Sequence, residues 1–154
     1  MSEHYRYRKD KTHLSSTFKL PIDDFHYLRI YVWNNLEGMF ANVLPGYDPK
    51  WESGEYLACY IGMDGIEDEV TKEIFFPKFF GEIHLVLNKF GVGIVAHELT
   101  HFLFHWLRSH LDTLLDSGTL DDEAFAILIG NLNKKFWNAF YKRYELADGV
   151  WASA

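Results

Sequence analysis

His97, Glu98 and His101 are the residues whose type and spacing most directly suggest chemistry, in the run His97-Glu98-Leu99-Thr100-His101. The pattern around them turns helical after Asn88 to Gly91 and stays so through about Leu115, which places the run on a helix. Four residues along a helix amount to about 40° of rotation and about 6 Å of rise, so both imidazoles point the same way and can share one ion. Glu98 stands about 100° round from His97, beside the ion rather than on it, where a carboxylate can take a proton from an activated water. H-E-x-x-H on a helix is the pattern of a zinc site with a glutamate base.

With His97 at zero on a helical wheel, Arg108, His101, His105, Glu98 and Ser109 fall between about 20° and 120°. Val95, Leu99, Phe102, Leu103, Trp106 and Leu107 occupy the core-facing arc from about 140° to 280°. A solvated stripe on an amphipathic helix would show the same division, and what distinguishes a catalytic zinc site from it is a third ligand. His105 cannot serve, because eight residues of continuous helix separate it from His97 by about 12 Å of rise. The pattern H-E-x-x-H-x-x-G-x-x-H is also excluded, since Phe104 and Leu107 stand where it needs glycine and histidine. A carboxylate from the next helix remains. In Asp121-Asp122-Glu123-Ala124-Phe125-Ala126, Glu123 lies at the edge of the arc formed by Leu120, Ala124 and Ile127, and is expected to turn partly inward. Candidates to stabilise a tetrahedral oxyanion are His105, Arg108, His110 and Tyr141, and the sequence selects none of them.

His97, Glu98, His101 and Glu123 together resemble the gluzincin metallopeptidases, in which H-E-x-x-H on one helix is completed by a glutamate on the next. The segments Gly81-Glu82-Ile83-His84-Leu85-Val86-Leu87 and Gly91-Val92-Gly93-Ile94-Val95-Ala96 are similar to small zincin-like proteins, including those of phages and prophages. The likeness spans about residues 81 to 144. It implies a zinc-dependent peptidase acting on a peptide or protein substrate, with His97, His101 and Glu123 as ligands and Glu98 as general base. It further implies that the strand 82 to 87 borders the cleft and offers its edge to an extended peptide. Gly118-Thr119-Leu120-Asp121 resembles instead the G-T-x-D of aspzincins, which would make Asp121 the third ligand, although Ala124-Phe125 replace the Tyr-Gly that follows there.

The elements that position these residues read as an α+β fold: an antiparallel sheet from the first half, then the H-E-x-x-H helix and a long C-terminal helix from near Thr119 to about Tyr144. Strands are expected at Phe25 to Trp33, Tyr56 to Ile61 and Glu82 to Leu87, and a hairpin around Asn34 to Leu44. Residues 1–19, with Arg6, Arg8, Lys9, Lys11 and Lys19, read as a basic flexible arm, and residues 20–154 as one domain. The acidic run Glu67, Asp68, Glu69 is expected at the surface. A formal charge of −7 over 154 residues disfavours nucleic acid or an anionic membrane as the partner. One cysteine, Cys59, with no signal-like or membrane-spanning apolar run, fits the cytoplasm. With 27 aromatic residues, 13 Phe, 9 Tyr and 5 Trp, surface is left for contacts, so the rival class is a catalytically inactive zincin-like protein that binds or regulates other proteins.

Overall fold

Alternating apolar residues in the first half build a four-stranded sheet, and the two long amphipathic helices cover one of its faces. The computed structural model describes residues 10–43, 57–63, 65–75, 77–110 and 122–144. In chain order the elements are β1 (Leu14–Pro21), β2 (Tyr27–Trp33), α1 (Leu36–Val43), β3 (Ala58–Gly62), β4 (Ile66–Glu67), β5 (Ile74–Phe75), β6 (Phe79–Val86), α2 (Val92–Ser109) and α3 (Asp122–Arg143). The main sheet has the order β1-β2-β6-β3, and β4 pairs with β5 in a separate ribbon. Along one cross-strand row, Phe18, Ile30, Ile83 and Tyr60 lie side by side facing α2 and α3. There Phe80, Phe90, Leu99, Phe102, Leu132, Phe136 and Phe140 complete the main core.

The opposite face is covered by α1, whose Met39 and Val43 pack on Trp33 and Val86. A buried polar chain runs across this face. The Trp33 indole N–H donates to His84 Nδ1 at 2.9 Å, so the proton of a neutral His84 is on Nε2, which donates to Glu82 Oε1 at 3.0 Å. Tyr31 stacks on His84 with 4.8 Å between ring centroids. Through these contacts β2 and β6 are joined by side chains as well as by backbone.

Several expectations need correction. The sheet is mixed rather than antiparallel, because β6 runs parallel to β2 and antiparallel to β3. A strand's residues do not specify its partner's direction, and parallel neighbours need only a long crossover, which the stretch from β2 to β6 supplies. The expected hairpin is the helix α1: Asn35 Oδ1 accepts the Gly38 N–H at 2.8 Å, and Met39 and Val43 share one helical face. A short apolar run does not reveal its period. The basic arm is shortened as well. Lys11–His13 form a 3-10 turn and Leu14–Pro21 is β1, tied to the end of α3 by Ser15 and Ser16, whose hydroxyls lie 2.6 Å from Tyr144 Oη. Residues 1–9 lie outside the described residues.

Other expectations agree with the fold. Tyr27–Trp33 and Ala58–Gly62 are strands, Glu67 and Glu69 are exposed, and Asp68 accepts the N–H groups of Val70 and Thr71 in the β4–β5 turn. Among the described residues no helix is long and apolar enough to cross a membrane.

Candidate active site

Helix α2 begins after Gly91 and buries Val95, Leu99, Phe102 and Trp106 toward the sheet, the arc expected from the wheel. That packing turns the opposite flank, carrying His97, His101, His105 and Arg108, toward β3. On this flank a cavity of about 510 Å³ opens between α2 and β3. Its walls include His97, Glu98 and His101 from the helix and Ala58, Cys59 and Tyr60 from the strand.

The imidazoles of His97 and His101 meet with Nε2 to Nε2 at 3.1 Å, one N–H directed at the other ring's nitrogen. Two nitrogens bound tetrahedrally to one zinc at about 2.0–2.1 Å lie about 3.3 Å apart, so the pair matches two ligands of a single ion. Glu98, one residue on, is 5% exposed, and its burial pushes the carboxyl pKa from an ordinary 4.5 up to about 7.

Glu123 does not join this pair in the structure. It is exposed in the first turn of α3, where Ala124 and Ile127, the neighbours expected to draw it inward, are exposed too. The arc that α3 buries runs instead through Leu132, Phe136 and Phe140, with Phe125, Leu128 and Ile129 packed beside it. Phe90, just ahead of α2, packs on Phe136 and Phe140, so the start of α2 lies against the later half of α3 and the first turn of α3 points toward the other end. In addition α3 packs over β1, at the opposite side of the sheet from β3 and the cavity. Among the described residues no three His, Cys, Asp or Glu side chains are gathered as a metal site. Asp121 lies outside the described residues.

Of the four proposed oxyanion donors, His105 and Arg108 line the cavity. His110 Nδ1 is instead engaged at the end of α2, 2.8 Å from both the Trp106 carbonyl and Ser109 Oγ, and Tyr141 is on α3, outside the cavity wall. The residue that sequence reasoning missed is Tyr60. Its hydroxyl lies 2.7 Å from His105 Nδ1, and burial raises its pKa far above the ordinary phenol value, so it remains a protonated donor. Two glycines make room for this pair. A Cβ on Gly62 would come within 2.4 Å of His105 Nδ1, and one on Gly81 within 2.6 Å of Tyr60 Oη. The alternation Ala58-Cys59-Tyr60-Ile61-Gly62 held the only signal: an aromatic residue and a glycine on the same strand face.

Gly62→Ala is therefore expected to displace the His105 ring and to cost about 1–3 kcal/mol in denaturant unfolding. An unchanged midpoint together with unchanged His105 ring resonances by NMR would contradict this packing.

The strand expected to border the cleft with a free edge is β6, and the structure corrects this: β6 is interior, between β2 and β3. Its residues are buried on both faces from Phe80 to Val86, as a central strand requires. The cavity wall and sheet edge next to α2 belong to β3. Compared with protein-family models, with curated proteins and with solved structures, the chain matches none of them.

Proposed function

We propose that the protein is a zinc-dependent peptidase of zincin-like, gluzincin type, hydrolysing peptide bonds in the cavity between α2 and β3. The observation that carries this reading is the convergence of the His97 and His101 Nε2 atoms at 3.1 Å beside a buried carboxylate, on the wall of an open cavity. The nitrogens of His97 and His101 suit zinc, whereas Glu123, the third donor expected from the sequence, stands apart from them, so the third donor is what the titrations below decide between Glu123 and Asp121. When bound, zinc supplies a Lewis acid that polarises the scissile carbonyl and lowers the pKa of water.

The remaining work falls to the chain's own residues. The Glu98 carboxylate accepts the proton of the attacking water and delivers it to the leaving amine. Tyr60, held by His105, is the donor in the cavity for the oxygen that gains charge. Residues of β3 form the wall along which an extended peptide would lie.

The test joins metal binding to turnover. Wild type is expected to bind one zinc per chain and to cleave a proteome-derived peptide pool in a chelator-sensitive way. His97→Ala and His101→Ala should each weaken zinc binding at least about a hundredfold, a larger loss than removal of a supporting residue causes. Parallel titrations of Glu123→Ala and Asp121→Ala assign the third ligand by which of the two loses affinity. Zinc affinity indifferent to both histidines, or a peptide pool left intact by the zinc-loaded protein, would refute the reading.

A further inference from the structure

We propose that Arg108 anchors a carboxylate of the bound peptide two to three residues from the scissile bond, so that this site prefers acidic peptides. The proposal deepens the peptidase reading and rests on it for the position of the scissile bond. The cavity does not end at His101 but continues along α2 past Phe104 and His105 to Arg108. Among the side chains lining it, Arg108 is the one lysine or arginine, and Glu98 the one aspartate or glutamate. Arg108 is exposed, and among the described residues no carboxylate forms an ion pair with it. In a chain of formal charge −7, a lone guanidinium at one end of a cavity makes that end the place for an anionic group.

The spacing sets the distance. Arg108 is seven residues beyond His101, which on a helix is about 20° from the same line and about 10 Å further along the axis. Long side chains on a helix lean toward its N-terminus, here toward the histidines, which brings the guanidinium to within about 7–10 Å of the pair. An extended peptide advances about 3.3 Å per residue, so a carboxylate meeting Arg108 belongs two to three residues from the bond over His97 and His101. The strand β3 is antiparallel to β6, and the chain reverses again between β6 and α2, so β3 and α2 run in the same direction. Gly62 accordingly meets His105 at the Arg108 end of the groove. Phe104, 57% exposed at the rim between the two ends, offers an apolar contact to the intervening side chain.

The carboxylate has two sources, an acidic side chain or the C-terminus of the peptide, and planar guanidinium recognition serves both. Binding of fluorescein-labelled hexapeptides, measured by anisotropy, separates them. One matched pair carries Glu or Gln at the third position past an apolar residue, and a second pair ends there in a free carboxylate or an amide. Binding is read with zinc and with chelator, using Glu98→Gln protein to keep the peptides intact and wild type with chelator as its control. The expected result is three- to tenfold tighter binding of at least one acidic member over its neutral partner, weakening as salt is raised. Arg108→Ala abolishes that preference, Arg108→Glu reverses it toward a Lys peptide, and Arg108→Lys retains part of it. Equal affinity for acidic and neutral members, a preference that survives Arg108→Ala in a protein with an unchanged melt, or no binding of any peptide would each overturn the proposal. Failure of the peptidase reading is distinguishable, because it appears as absent turnover in wild type while this preference is read without turnover.

Discussion

Glu98→Gln in the zinc-loaded protein is expected to lower kcat for peptide cleavage about 10²- to 10⁴-fold with little change in KM. The amide has the shape of the carboxylate but cannot accept the proton of the attacking water, so the loss belongs to the transition state rather than to substrate binding. Zinc stoichiometry should stay at the wild-type level, because Glu98 stands about 100° from His97 on the α2 wheel and is not one of the proposed donors. Initial rates on a single cleaved peptide, with metal content measured on the same samples, provide the check. Equal rates and equal product spectra from the two proteins would remove Glu98 from the mechanism and leave the binding-protein class as the better account of the fold.

The same substitution is expected to stabilise the metal-free fold at alkaline pH. Burial holds the Glu98 pKa at about 7 in the fold, against an ordinary value of 4.5, so between those values the folded chain keeps a proton that the unfolded chain has lost. Below about pH 4.5 the carboxyl is neutral in both states and costs nothing through ionisation. Stability therefore falls across that interval, by up to about 3 kcal/mol in all, and levels off above about pH 7, where the carboxyl is ionised in both states. Glutamine has no such dependence.

In chelator, Glu98→Gln should therefore match wild type near pH 4.5 and exceed it by up to about 3 kcal/mol at pH 8 in urea unfolding. Asp10 and Asp68, whose carboxyls are held low by hydrogen bonds from Thr12 and from Thr71 and Val70, weaken both proteins alike in acid and cancel in the difference. A difference that does not change with pH would show that Glu98 is already solvated in the folded chain. Loss of turnover together with gain of stability is the signature of a charge placed for function.

Much of α2 was legible because a helix carries its geometry in its spacing. Val95, Leu99, Phe102 and Trp106 had to share one face, and His97 and His101 another, whatever packed against them. Strands β2 and β3 were legible for a similar reason, since alternation is local. By contrast, α1 was read as part of a hairpin because eight residues are too few to separate the two periods, and the decisive contacts of Met39 and Val43 are with Trp33 and Val86.

Glu123 shows the same limit from the other direction. Leu120, Ala124 and Ile127 made a plausible inward arc, yet α3 buries the larger arc ending in Leu132, Phe136 and Phe140, and the helix rotates to suit the greater apolar area. Nothing within one helix records how its neighbours compete for that choice.

The sequence by itself determined that two imidazoles lie one helical turn apart with a carboxylate beside them, because backbone periodicity alone sets those relations. Only the tertiary structure decided that this flank faces β3, that Tyr60 bonds to His105 across the groove, and that Gly62 and Gly81 leave the space for it. The strand order and parallel pairing that placed β3 at the edge beside α2 also came from the assembled sheet. Those relations join residues far apart in the chain, 21 positions from Tyr60 to Gly81, 45 from Tyr60 to His105 and 52 from Tyr27 to Phe79, and they arise when whole faces are buried against one another rather than from any local pattern.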